Sequence, residues 1–125
     1  MGKRRILLVE DEPSVVKTVG KRLEVAGFDV IVAVNGEEAL SKAQEERPDL
    51  IVLDLMLPTI DGFEICERLK KDHPSMDIPV VVIFTGKGQE EEEERCRQLG
   101  AAAFISKTRG TGVLIEQINA LLDRR

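Results

Sequence analysis

Five short apolar runs punctuate the chain: Arg5–Val9 (RILLV), Phe28–Val34 (FDVIVAV), Leu50–Leu53 (LIVL), Pro79–Phe84 (PVVVIF) and Ala102–Ile105 (AAFI). Apart from the second, they show no in-and-out alternation, which is how strands covered on both faces read. Helical spacing follows each of them. Val15, Val16, Val19, Leu23 and Ala26 form one stripe; Ala39, Leu40 and Ala43 a second; Phe63, Cys66 and Leu69 a third; and Val113, Leu114, Ile118, Leu121 and Leu122 the last. The stretch Gln89–Leu99 is a weaker helix, because Glu90 to Glu94 repel one another and only Cys96 and Leu99 anchor it. Pro13 suits a first helical turn, Gly27 and Asn35-Gly36 break the chain between elements, and Pro48 and Pro79 each precede a strand.

Five strands alternating with five helices predict an α/β fold in which every connection is a helical crossover. The sheet is therefore expected to be parallel, with helices on both faces and right-handed connections. With 125 residues, the chain is expected to form one domain over residues 1–125, large enough to bury roughly two thirds of its unfolded surface.

Composition narrows the function more than the fold. Apolar residues make up 42% of the chain and charged residues 33%, too apolar for disorder. No apolar run approaches the roughly 20 residues that span a bilayer, so a soluble protein without membrane contact is expected. The net charge of -5 and the absence of Tyr and Trp argue against direct nucleic-acid binding. Cys66 and Cys96 fit no metal or redox spacing, His73 is the single histidine, and the N-terminus lacks a secretion signal; a cytoplasmic location is expected.

In an open α/β sheet, ligands bind beyond the carboxyl ends of the strands. Here those ends carry Glu10-Asp11-Glu12, Asp54, Thr85 and Ser106-Lys107. Singly, each has an ordinary reading: Asp11 or Glu12 starts a helix, Thr85 sits in a turn, and Lys107 is a solvated cation. Asp54 resists one, because it interrupts LIVLDLML and the next helix begins only near Asp61-Gly62. With the doubly wound order 2-1-3-4-5, the first and third strands are neighbours and Glu10, Asp11 and Asp54 converge. A hard divalent cation held by carboxylates, water and a backbone carbonyl would relieve the repulsion, and Mg²⁺ prefers such ligands. One carboxylate, a dication, a hydroxyl and an ammonium suit phosphoryl transfer, with Asp54 as nucleophile.

The motifs ILLVEDEP (Ile6–Pro13), PDLIVLDLMLPTIDG (Pro48–Gly62), PVVVIFTGKG (Pro79–Gly88) and GAAAFISK (Gly100–Lys107) occur in order. Together they make the chain resemble the receiver domain of two-component response regulators from Arg4 to Leu122. The resemblance implies a flavodoxin-like (βα)₅ three-layer sandwich and supports the order 2-1-3-4-5. It implies that Asp54 takes phosphate from the phosphohistidine of a sensor histidine kinase or phosphotransfer protein. Asp11 would ligate Mg²⁺, Glu10 would complete the acidic pocket, and Met56 would lend a backbone carbonyl to the metal. Thr85 would hydrogen-bond one phosphoryl oxygen and Lys107 would pair with another. Thr85 and Phe104 would form the switch that alters the face made by the fourth helix, fifth strand and fifth helix. That face would contact a downstream output domain or protein, and a phosphorylation-dependent homodimer is compatible with it. Such a domain is not an enzyme in the usual sense, since it catalyses only its own phosphorylation and dephosphorylation.

Three features depart from the family pattern. Thr108 follows Lys107 where Pro is usual, Phe104 lacks the hydroxyl of a tyrosine switch, and Glu90–Glu94 makes the fourth helix unusually acidic. Met56 and Lys87 occupy positions that flank the path of hydrolytic water in the family, so a long-lived phosphoryl state is expected. Two other functions compete. A phosphate-independent docking domain would keep the fold without the chemistry. A flavin-mononucleotide binder would need a hydroxyl- and glycine-rich loop after the first strand, whereas EDEP repels phosphate.

Overall fold

Among the described residues ten elements alternate strictly, and their strands pair in parallel, as runs buried on both faces favour. In this computed structural model residues 2–54, 57, 62–72, 80–83, 90–106 and 110–123 are described. The elements are β1 (Arg5–Val9), α1 (Pro13–Val25), β2 (Asp29–Ala33), α2 (Gly36–Glu46) and β3 (Leu50–Asp54), then α3 (Gly62–Asp72), β4 (Val80–Ile83), α4 (Glu90–Gln98), β5 (Ala103–Ile105) and α5 (Gly110–Asp123). The strand order is β2-β1-β3-β4-β5, so the chain first winds outward to β2 and then reverses across β1. The reversal places β1 and β3 side by side, with Val9 opposite Leu53.

Period-two alternation divides the central strands β1 and β3 between two cores. Leu7, Val9, Ile51 and Leu53 face one side, where Ala39 and Ala43 of α2, Ile65, Cys66 and Leu69 of α3 and Cys96 of α4 cover them. Ile6, Leu8, Leu50 and Val52 face the other, beneath Val19 and Leu23 of α1 and Leu114, Ile118 and Leu122 of α5. Every side chain of β3 is buried, Asp54 included. No helix among the described residues is long and apolar enough to cross a membrane.

The element ends differ from the sequence expectations by a residue or two, each for a local reason. Phe28 lies outside β2: its amide donates to the Leu23 carbonyl and that of Gly27 to Glu24, a helix-terminating pair of bonds in which Gly27 adopts φ 101°. That turn leaves Ala26 at the exposed C-cap of α1, not in the buried stripe, while Phe28 packs into the core beside Leu23. The same bonds end α4, from Gly100 to Arg97 and Ala101 to Cys96, so β5 starts at Ala103, one residue later than expected. Val34 falls beyond β2 because Asn35 already caps α2, its side chain accepting from the Glu38 amide at 2.8 Å. Asn35→Ala is expected to cost about 1 kcal/mol, and Asn35→Gly only a few tenths, in urea titrations.

The weak fourth helix does form. Cys96 is buried against the sheet, and Arg97 pairs with Glu93 at 3.0 Å, which offsets part of the repulsion along the acidic run.

Candidate functional site

The last residues of β1 and β3, together with the turn that follows β1, build an acidic cluster. Glu10 comes directly after β1, and its amide donates to the Ala33 carbonyl at 2.9 Å, which extends the β1–β2 pairing by one step. Its side chain is then trapped under the sheet edge: Glu10 is 2% exposed and Asp54 3%. Asp11 is exposed at the mouth. Carboxylate oxygens of Glu10, Asp11 and Asp54 all lie within 4.8 Å of one another.

Pro13 opens α1, and the preceding Glu12 stands at the N-cap without a side-chain capping bond. The helix-starting role open to Glu12 is therefore filled by its backbone alone. Its amide instead donates to Glu10 Oε1 at 3.2 Å, which turns the Glu10 carboxylate back over the β1–α1 turn. The sequence reading did not assign this contact; the run of three acids was the available signal. The positive end of the α1 dipole faces the same turn and favours negative charge there.

No buried side-chain nitrogen or oxygen among the described residues lacks a hydrogen-bond partner. The cluster gathers three like-charged side chains, two of them the buried carboxylates of Glu10 and Asp54. Oxygens bound to one Mg²⁺ at about 2.1 Å lie about 3–4 Å apart, and a set of three carboxylates is the hard donor chemistry that ion selects. The donor set and spacing of Glu10, Asp11 and Asp54 fit a divalent cation.

Of the other expected site residues, Phe104 lies in β5 opposite Val82 of β4, half-buried and packed against the core beneath α2 and α3. Met56, Thr85 and Lys107 lie outside the described residues, as do Lys87 and Thr108. Thr85 and Lys107 follow the ends of β4 and β5, at Ile83 and Ile105, by two positions each. Cys66 and Cys96 are both buried in one core, as small apolar residues would be.

Comparison with known proteins decides the family: the family model for the response regulator receiver domain matches residues 6–119. The chain belongs to that family. The receiver domain is 40% identical over 121 residues to the alkaline phosphatase synthesis transcriptional regulatory protein PhoP of Bacillus subtilis (strain 168), an alignment covering 97% of this chain and 49% of PhoP. It is 39% identical over 120 residues to the DNA-binding dual master transcriptional regulator RpaA of Synechocystis sp., covering 96% of this chain and 49% of RpaA. The chain thus spans about half the length of the curated relatives it matches. Among solved structures, the BeF3-activated N-terminal receiver domain of Klebsiella pneumoniae RstA superimposes with a TM-score of 0.87 at 30% identity, covering 95% of this chain and 98% of that one. The flavodoxin-like architecture and the strand order expected from the sequence hold for this receiver domain.

Proposed function

We propose that this receiver domain, as a single unit over residues 1–125, accepts a phosphoryl group on Asp54 from a histidine kinase or phosphotransfer protein. The observation that carries the reading is the convergence of Glu10, Asp11 and Asp54 at the ends of the adjacent strands β1 and β3. A carboxylate oxygen of Asp54 forms the new bond to phosphorus as the bond from phosphorus to the donor imidazole nitrogen breaks. Burial holds Asp54 in one orientation, so little conformational freedom is lost at the moment of attack. Glu10, Asp11 and Asp54, with the Met56 carbonyl, would hold Mg²⁺. When bound, the cation supplies the positive charge that lets an anionic phosphoryl group approach an anionic pocket. Glu12, through its backbone amide, keeps Glu10 turned toward that position.

By the family's pattern, Thr85 hydrogen-bonds one phosphoryl oxygen and Lys107 pairs with another. Thr85 and Phe104 then relay the added charge to the face of α4, β5 and α5, where an output domain, a target protein or a second copy binds. The receiver acts on no separate substrate; it completes only its own phosphorylation and dephosphorylation, in the cytoplasm. Its net charge of -5 supports a role without direct DNA contact, although RpaA is named a DNA-binding regulator.

Acetyl phosphate and Mg²⁺ are expected to add a single phosphoryl group per chain in intact-mass spectra. The adduct should be released by hydroxylamine, as acyl phosphates are, and chelation with EDTA should prevent it. No uptake, or a hydroxylamine-resistant adduct, would overturn the assignment.

A further inference from the structure

α4 carries the densest charge in the chain, and its two arginines are partnered differently. Arg97 pairs with Glu93 at 3.0 Å and Glu94 at 3.4 Å on its own helix. Arg95 directly follows the acidic run, yet forms no ion pair among the described residues. Its guanidinium lies over the ring of Phe63 instead, with Cζ 4.0 Å from the ring centroid. Phe63 is the second residue of α3 and packs, half-buried, against the core.

One turn further along both helices the contact repeats. The Cys66 thiol lies 3.9 Å from the Leu99 carbonyl oxygen. The pairs Phe63–Arg95 and Cys66–Leu99 advance in the same direction, as helices of successive parallel βα units must, and form a two-step seam. A helix of nine residues, most of them charged, is marginal by itself in water. Tertiary contacts therefore fix where α4 sits, and the seam supplies two of them. At its other end the seam meets the first turn of α3, which the chain enters after leaving Asp54 at the end of β3.

We propose that Arg95 is a positioning residue: stacked on Phe63, it couples α4 to the first turn of α3, so that charge added at Asp54 reaches the exposed acidic surface of α4 by way of α3 in addition to the relay through Thr85 and Phe104. The Asp54 arm rests on the phosphoacceptor reading; the coupling of the two helices does not. A coupling of this kind is a difference in contact free energy between two states, and both ends of the seam must register it.

Hydrogen–deuterium exchange of the whole chain tests it, with EDTA and then with Mg²⁺ plus beryllofluoride as the probe. Under EDTA, Arg95→Ala and Phe63→Leu should each speed amide exchange across residues 91–98 by about two- to fivefold, the span a cation–π contact of this exposure supports. The double variant should be no faster than the faster single one, which separates the pair from unrelated packing losses. Because alanine is the better helix former, faster exchange in Arg95→Ala cannot come from local propensity. With Mg²⁺ and beryllofluoride, exchange across α4 should change in the wild type. Both variants should lose a measurable part of that change while keeping the full response at residues 10–12. Wild-type α4 rates in both variants under EDTA, or an undiminished α4 response in them, would overturn the proposal. If beryllofluoride leaves residues 10–12 of the wild type unchanged, the phosphoacceptor reading fails, and the helix coupling is still decided by the EDTA rates.

Discussion

Asp54→Asn is expected to abolish phosphoryl uptake and, in the same molecule, to make the metal-free domain more stable. The first effect is chemical: an amide oxygen is too weak a nucleophile to displace an imidazole from phosphorus, and no other carboxylate occupies the end of β3. The second is electrostatic. Glu10 and Asp54 are both almost fully buried, and their oxygens lie within 4.8 Å of each other and of Asp11. Two unit charges at that separation repel by about 3 kcal/mol at an effective dielectric near 20. Removing one charge relieves this, less whatever the amide loses in hydrogen bonding, and a net gain of about 1–2 kcal/mol is expected. Magnesium should close most of that gap. At tenfold its dissociation constant a ligand stabilises the native state by about 1.4 kcal/mol, and the asparagine variant should forfeit most of that gain. Thermal melts in EDTA and in Mg²⁺, read beside intact-mass spectra, check both halves. A variant that still takes up phosphate ends the assignment of Asp54, and a lower melting temperature in EDTA contradicts the account of the cluster as a store of repulsion.

The balance between chemistry and stability also explains which parts of the protein were legible beforehand. The strands could be read because burial on both faces leaves no room for polar residues, so Ile6–Val9 and Leu50–Leu53 stand out whatever surrounds them. Asp54 was legible for the same reason, as the polar residue that such a run should not contain. The ends of elements were less so, because they depend on backbone bonds that composition does not encode. Phe28 looks like strand but is drawn into the helix-ending turn at Gly27, and Val34 yields to the cap at Asn35. Convergence of Glu10 and Asp11 with Asp54 needed the order of strands, which follows from the family resemblance more than from periodicity. The partnership of Glu10 with the Glu12 amide had no sequence signal beyond adjacency. Nor had the stack of Arg95 on Phe63, since two residues on different helices share no local pattern.

Leu114→Ala should cost about 2–5 kcal/mol of folding stability, the span for truncating a fully buried leucine where neighbours relax only partly. Leu114, Ile118 and Leu122 recur at four-residue intervals along α5 and bury one stripe of it against Ile6, Leu8 and Val52 of the central strands. β5, of three residues, is a short edge strand and offers little purchase of its own, so this stripe does much to hold the C-terminal βα unit on the sheet. Domains of this size have roughly 5–15 kcal/mol in total, so the variant should be visibly less stable yet folded in the cold. Glu116, exposed on the same helix, serves as the control: Glu116→Ala should stay within about 0.5 kcal/mol of the wild type. Urea titrations at one temperature distinguish the two, provided the slope with denaturant is unchanged. The cavity opens among the side chains of α1 and α5, whereas the backbone of Asp54 is held by pairing with Ile83 of β4 and that of its neighbour Leu53 by pairing with Val9 of β1. Leu114→Ala should therefore still accept phosphate at low temperature, at close to the wild-type extent. A loss below about 1 kcal/mol would mean that α5 does not dock through this stripe. Loss of uptake in the folded variant would mean that the site depends on α5 packing and not on the strand ends alone.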